Sequence, residues 1–488
     1  MTLNSEDYLA LRRAIAEIPG DVSNDAVGAN VATLDDIFAP ESHAAALDPR
    51  IPVVLGSRGS GKSFWSGVLG QIETRNAADR AYPRLNLSTV EVRFGYTGVG
   101  GPDGISMEAI DDAAPPDAGT GEAKAFWWAT VLSAAAKASG DETARPKKFL
   151  DRARAWEARE QMLHEHEQRL CARETSLLVV YDALDTIART WPRRRLLTEA
   201  LLEVVWAMRA YRAIRLKLFI RPDQLEDDAL RFVELPKLRD GAVRLKWSSA
   251  DLYGLFYARL ALTQDPDARA ALSRLLGQYG LITATRDDIL TRRWPLATDS
   301  REQKRLMAAL AGPYMGQGSS APKKKGNTYD WPIKHLADAF EEVTPRSFLR
   351  LMIAAAQHGV PPTEQVIHFS GIQHGLRAAS KTRVDQLYDE FPWIKGVLAP
   401  LAGLLLPKPK EEVFALWRQM RTLDLLREDA TQQNYLPPFP LDDPNGERAL
   451  FLALERIGVM YRRKDERLDM PDLFRVAAKL LKKGGVAP

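Results

Sequence analysis

Residues 51–65 read IPVVLGSRGSGKSFW. The apolar run Ile51 to Leu55 predicts a short buried strand. The segment Gly56 to Ser63 fits G-x-x-x-x-G-K-[ST] in full. Gly56, Gly59 and Gly61 let the backbone turn tightly and bring successive N–H groups to one concave face. With Ser57, Arg58 and Ser60 they form a cradle for a β-phosphate, completed by the N-terminus of the helix that follows. Lys62 puts a cation on the β and γ oxygens, and Ser63 offers its hydroxyl oxygen to Mg²⁺. Residues 63–76 have helical spacing, with Phe64, Val68, Leu69 and Ile72 apolar. Strand, loop and helix follow in the order a phosphate site needs.

Outward from this point the chain alternates. Strands are predicted at 89–94 (TVEVRF), 176–181 (SLLVVY), 215–220 (RLKLFI) and 243–247, with helices at 126–138 and 194–212 between them. Such alternation gives an α/β fold, a mostly parallel sheet flanked by helices. Residues 95–122 are rich in Gly, Asp, Ala and Pro and read as a mobile loop or insertion. Residues 146–174 read as a charged surface helix or helix pair. Ser249 is the expected N-cap of a helix over 250–263. Beyond about residue 265 the pattern is helical. Residues 314–329 read as a flexible break whose three lysines are solvated, and 436–440 (LPPFP) as a linker. A helix over 447–457, two short strands around the charged tip 462–466, and a closing helix over 471–481 spell a winged helix.

A phosphate site of this kind also needs an acid at a strand tip. The stretch LLVVYDALD supplies Asp182, expected to hold Mg²⁺ through water. Asp185, three residues on, could orient or deprotonate the attacking water, or serve as a turn or capping residue. The place directly after Asp182 is Ala183, where many vigorous P-loop ATPases carry glutamate. Arg221 ends RLKLFI at the ligand edge of a parallel sheet, where it could sense a γ-phosphate or form a structural salt bridge. Arg346, in Thr344-Pro345-Arg346-Ser347, stands at a helix start from which a lid could bring it to the phosphates. The run Arg193 to Arg195 could supply a finger in trans, but a solvated basic face is the reading preferred. The tip Arg462, Arg463 and Lys464, with Lys482 and Lys483, could touch a phosphate backbone or form a solvated wing. His164 to Glu167 lacks the i, i+4 pair of a metal helix and reads as surface.

Bulk properties bound these readings. A chain of 488 residues allows two to four domains. Its one cysteine, Cys171, rules out an intrachain disulfide and fits a reducing, cytoplasmic compartment. Residues 1–10 lack a basic then apolar leader. No apolar run approaches the roughly 20 residues of a membrane span. A net charge of +3 is too mild to argue for nucleic acid by itself. No guanine-reading N-K-x-D motif stands out.

The chain resembles the AAA+/STAND branch of P-loop NTPases, and within it the bacterial KAP-type and phage-exclusion ATPases. The resemblance is carried by LGSRGSGKSFW (55–65), LLVVYDALD (177–185), LKLFIRPDQ (216–224), VRLKWSSADLYGLFYARL (243–260), HLADAFEEVTPRSFLRLMIAAA (335–356) and RLDMPDLFRVAAKLLKKGGV (467–486). It implies a P-loop nucleotide-binding domain over 1–264, with an insertion of a loop and charged helices at about 96–174. A helical lid over 265–400 and a winged-helix domain over 401–488 would follow. It also implies ATP and Mg²⁺ as cofactors, Arg221 as the sensor-strand arginine and Arg346 as a lid arginine. The expected role is an ATP-hydrolysing switch of antiviral defence, homo-oligomeric or paired with a separately encoded effector. The alternative is an ATP-dependent DNA-binding or loading factor of origin-recognition type.

Overall fold

The computed structural model describes residues 3–20, 31–100, 104–226, 230–316, 322–360, 364–433, 435 and 446–488. The chain divides into two compact units, Ser23–Lys246 and Met1–Val22 joined with Trp247–Pro488. This differs from the expected boundaries: residues 1–22 and 247–264 fall outside the sheet unit, and the lid and winged-helix regions fall in one unit. The first helix, α1 (Ser5–Ala16), shows why. Arg12 sends its guanidinium to the carbonyls of His358, Gly359 and Val366 at 2.5, 3.0 and 3.4 Å. Arg13 pairs with Asp265 at 2.6 Å, and Asp7 with Arg274. Leu11 and Ile15, both fully buried, fill the face between.

The first unit is built on five strands: β1 (Val53–Leu55), β2 (Val90–Tyr96), β3 (Ser176–Tyr181), β4 (Ile214–Ile220) and β5 (Val243–Arg244). Their order is β2-β3-β4-β1-β5, and every pairing is parallel. β1, β3 and β4 are almost wholly buried, as a parallel sheet covered on both faces requires. All strand C-termini reach one edge. There Gly56, Asp182 and Arg221 follow β1, β3 and β4, with β4 standing between the glycine-rich strand and the acid strand.

Helix α2 (Lys62–Gly70) is shorter than the spacing predicted, and α3 (Ile72–Ala81) continues after a break at Gln71. Thr74 Oγ1 and Arg75 Nη1 donate to the Val68 and Leu69 carbonyls at 2.9 and 2.8 Å. The open end of α2 is thus closed by side chains of α3. The expected loop at 95–122 is partly helical. Met107–Ala113 is a short helix, and α4 (Thr120–Ala138) begins inside that span. α4 is alanine-rich and buried nearly all round, so it packs between the sheet and its neighbours. Its Trp127 is fully buried, donates Nε1–H to the Leu197 carbonyl at 2.8 Å, and meets Tyr96 and Tyr181 edge-on. α5 (Trp156–Ala172) carries the charged stretch, yet His166 is buried and bonds Ser139 at 2.7 Å, so that stretch is not all surface. α6 (Trp191–Ala207) precedes β4.

On β4, Lys217 is fully buried, and its ammonium reaches three carbonyls: Ala46 at 2.9, Asp48 at 2.9 and Ile51 at 2.8 Å. Burial pushes its pKa down to about 7 against the pull of Asp48. Three donors on three acceptors fix the chain just before β1, and so the entry to the glycine-rich loop.

In the second unit α7 (Ser249–Ala261) is capped by Ser248, not Ser249. Ser248 and Asp251 make a reciprocal capping box. Tyr253 of α7 stacks on Tyr329 with ring centroids 4.0 Å apart. That contact, with the Tyr314–Asn327 bridge, pins both ends of the expected flexible break. α8 (Pro345–Gln357) and α9 (Phe369–Glu390) follow. The 436–440 linker lies outside the described residues. Near the end, β6 (Leu405–Leu406) pairs with β9 (Leu481–Lys482), and β7 (Tyr461–Arg462) with β8 (Leu468–Asp469). The expected closing helix is only Asp472–Arg475, because residues 481–482 form β9. Among the described residues no helix is long and apolar enough to cross a membrane.

Two stability measurements follow from this packing. Lys217→Met strands three carbonyls without a donor and lowers the unfolding free energy by about 3 kcal/mol in urea titration. Asp472 accepts from Arg475 Nε at 2.7 Å and His335 Nδ1 at 2.5 Å. Burial alone would raise its pKa, but these partners hold it at about 2. A depressed carboxylate stabilises above its unfolded pKa and loses that as pH falls through the folded one. Asp472→Asn is therefore less stable than wild type at neutral pH by on the order of 2 kcal/mol. That gap closes as pH falls from 3.8 towards about 2.

Candidate functional site

The glycine-rich loop leaves β1 at Gly56, whose N–H donates to the Ile220 carbonyl of β4 at 3.1 Å. A Cβ on Gly56 would lie 2.3 Å from Ser60 Oγ and 3.0 Å from Lys62 Cγ, so a larger residue there would displace these two side chains of the loop. Ser60 N–H closes a turn onto the Ser57 carbonyl at 3.1 Å. Gly61 stands at φ +105° as the residue before α2 and gives it no side-chain cap. An acceptor from outside the helix would satisfy the first-turn N–H groups of α2. Ser57, Arg58 and Gly59 are half-buried around the loop, and Ser60 is buried. Lys62 Nζ folds back over it, donating to the Gly56 carbonyl at 2.7 Å and the Ser57 carbonyl at 3.3 Å.

Asp182 stands two strands from β1, its N–H bonded to the Tyr96 carbonyl at 2.8 Å. It is 1% exposed. Among the described residues its carboxylate finds only poorly formed hydrogen bonds, from the Ser63 hydroxyl and the Ala183 N–H. Burial pushes its pKa up, while the nearby Ser63 hydroxyl and Lys62 ammonium pull it down. A buried carboxylate so incompletely satisfied costs several kcal/mol unless a cation offsets it. Asp182 and Ser63 together fit a hard divalent ion. Among the described residues no group of three or more His, Cys, Asp or Glu could hold a metal alone. Phosphate oxygens would have to supply ligands to such an ion.

The turn after Asp182 joins Ala183 to three residues that the sequence pattern did not mark: Thr186, Tyr96 and Gly98. Ala183 has φ +57°, a left-handed conformation costing a residue with a Cβ about 1–2 kcal/mol. Its carbonyl accepts from Thr186 N–H at 3.0 Å and Thr186 Oγ1 at 2.8 Å. Thr186 Oγ1 also meets the Tyr96 hydroxyl at 3.0 Å. Gly98 closes over this turn, since a Cβ there would lie 2.9 Å from Ala183 Cβ and 2.8 Å from Thr186 Oγ1. Asp185 projects from the turn, 41% exposed, with Oδ2 4.0 Å from Arg221 Nη1.

Arg221 is 5% exposed and grips Asp223 in two-pronged fashion, Nε to Oδ1 at 3.0 Å and Nη2 to Oδ2 at 2.8 Å. The salt bridge and the placement at the sheet edge are both present. Arg194 joins the same group of charges. Burial lowers its pKa, as does Arg221, while Asp185 and Asp223 raise it. The preferred reading of residues 193–195 as a solvated face is thereby corrected. Arg193 is buried too, donating to the Pro115 carbonyl at 2.8 Å, to Asp111 at 2.7 Å and to the Ala114 carbonyl. Nothing in a run of arginines distinguishes these partners from water, because Asp111 and Pro115 come from a distant helix-rich span.

The sheet edge thus gathers the cradle, Asp182, Asp185 and Arg221. No family model, curated protein or solved structure matches the chain. Arg346 belongs to the other unit, where it follows Pro345 at the start of α8, with Thr344 Oγ1 accepting Ser347 N–H at 3.3 Å. At the C-terminal tip, Arg462, Arg463, Lys464 and Lys482 line a cavity of about 520 Å³ with Asp465 and Asp469. Asp469 is fully buried and takes Lys482 at 3.0 Å and Arg463 at 3.3 Å, so part of this charge is spent internally.

A methyl group at Gly56 would press on Ser60 and Lys62 within the loop. Gly56→Ala weakens binding of a fluorescent ATP analogue at least about tenfold, equivalent to roughly 1.4 kcal/mol, while α-helical content by circular dichroism stays unchanged.

Proposed function

We propose that this chain is an ATP-binding, slowly ATP-hydrolysing switch of AAA+/STAND type. One observation carries the reading: a buried, under-satisfied carboxylate, Asp182, at the same sheet edge as a glycine-rich loop in which Ser60 and Lys62 pack closely over Gly56. The parallel order with β4 interposed is compatible with it. In this reading the loop N–H groups and Lys62 bind the phosphates, and Lys62 exchanges the carbonyls it now contacts for phosphate oxygens. Ser63 and Asp182 would hold Mg²⁺, which when bound neutralises charge developing on the β and γ oxygens. Asp185 orients water and accepts its proton, and Arg221 senses the γ-phosphate. The absence of an acid at Ala183 leaves that proton work to the more exposed Asp185, which favours slow turnover.

The regulatory role in antiviral defence, with oligomerisation or a separately encoded effector, is supported by the resemblance of the motifs. Arg346 is its lid arginine. A second reading, DNA binding through a winged-helix tip, is favoured by the basic-lined cavity around Arg462 to Lys464. Loss of duplex binding on replacing those three residues, in a titration across salt, would support it.

Turnover assays separate binding from hydrolysis. Lys62→Ala abolishes both nucleotide binding and nucleotide-dependent change in oligomer size by light scattering. Asp185→Asn keeps binding within about threefold and lowers kcat by about 10²-fold or more. Full turnover in Asp185→Asn would assign the water to another group, and unchanged binding in Lys62→Ala would overturn the site.

A further inference from the structure

The helix that begins at the cradle is wired to the point where the chain leaves the first unit. Trp65 lies one turn into α2 and is fully buried. Its Nε1–H donates to Nδ1 of His43 at 3.0 Å. His43 is also fully buried and approaches the Lys246 carbonyl through Nε2 at 3.1 Å. An acceptor at Nδ1 fixes the proton on Nε2, so the imidazole donates to that carbonyl. Burial drives the ring's pKa down to about 4 against the pull of the carbonyl, so the ring is neutral and the hydrogen-bond direction is constant near neutral pH. Ser42 Oγ donates to the same carbonyl at 3.3 Å. The segment bearing His43 is anchored again by the Tyr82 hydroxyl, which donates to the Pro40 carbonyl at 2.6 Å. Lys246 is the last residue of the first unit and Trp247 the first of the chain's return to the second.

We propose that Trp65, His43 and the Lys246 carbonyl form a relay that carries occupancy of the phosphate cradle to the joint at Lys246–Trp247, with His43 as its positioning residue. The inference rests on the nucleotide-binding reading above. An anion at the N-terminus of α2 acts on the first turn of that helix, and Trp65 is the first large side chain held rigidly behind it. Trp65 is confined by Phe64, Tyr82 and His43, with ring centroids 5.1, 6.4 and 5.8 Å away. In a close-packed interior a shift of the indole is passed to its hydrogen-bonded neighbour and not absorbed. The imidazole passes it to the carbonyl of the Lys246–Trp247 peptide itself. A purely structural clamp would have the same bonds but no dependence on nucleotide.

The test is hydrogen–deuterium exchange on the full chain, with and without Mg²⁺ and a non-hydrolysable ATP analogue. It compares wild type, His43→Phe and Trp65→Phe. His43→Phe keeps a ring of similar size and removes both hydrogen bonds; Trp65→Phe removes only the donor end. In wild type the analogue slows exchange at least about threefold in peptides covering both the cradle and residues 245–252. In each variant the cradle peptide keeps its protection and the 245–252 peptide loses it. Protection of 245–252 undiminished in either variant, or absent in wild type while the cradle is protected, overturns the relay. No protection at the wild-type cradle overturns the nucleotide-binding reading, and the relay with it. Should one variant unfold, as its thermal melt would reveal, the other carries the comparison.

Discussion

Taking a carboxylate out of water without giving it a full set of donors is costly, and the sheet edge is organised around that cost. Asp182 is held there by an apolar strand that leaves its side chain no solvent. Ser63 and Lys62, the last residues of the glycine-rich segment, are what the protein offers in compensation. They come from the far side of β4, so the acid and the loop depend on one another through an intervening strand. The clamp of Lys217 on three carbonyls sets the height at which β1 enters, and the bond from Gly56 to Ile220 sets where it leaves. Tyr96, Gly98 and Thr186 fix the turn after Asp182. The site is therefore a property of strand register as much as of motif.

What was legible in the sequence was local. A buried strand, a glycine-rich turn and a helix start are each encoded within a few residues, which is why the segment 51–65 could be read. The strand tips at Asp182 and Arg221 were legible for the same reason, since runs of three or more apolar residues end abruptly on a charge. The parallel α/β architecture followed from alternation. Asp185 and Arg221 do meet at the edge, at 4.0 Å.

What was not legible depends on partners distant in the chain. The first turn and a half of an alanine-rich helix looks like a loop beside glycine and proline until a sheet covers it, as happens to residues 120–125 of α4. Arginines 193 and 194 look solvated until a helix from residues 107–113 and the charges at 185 and 223 arrive. The first helix lies within the span 1–264 expected for the sheet domain, but Arg12 ends on carbonyls more than 340 residues away. The compact units divide at Lys246–Trp247 and not near 264, and sequence proximity conceals which core a helix such as α7 joins. Ser248 and Ser249 both satisfy a capping pattern, and only the backbone at 248 is extended.

Ala183 has a consequence for how such a chain can change over generations. Two of the four alanine codons lie a single base from a glutamate codon, so from those the acid common in fast hydrolases is one mutation away. Yet the backbone here is left-handed and the alanine methyl already lies against Gly98. A longer side chain would start from a strained position and be aimed into an occupied space. The simplest genetic step towards rapid hydrolysis is thus closed by packing, and a lineage carrying this turn would have to alter the loop after β2 first.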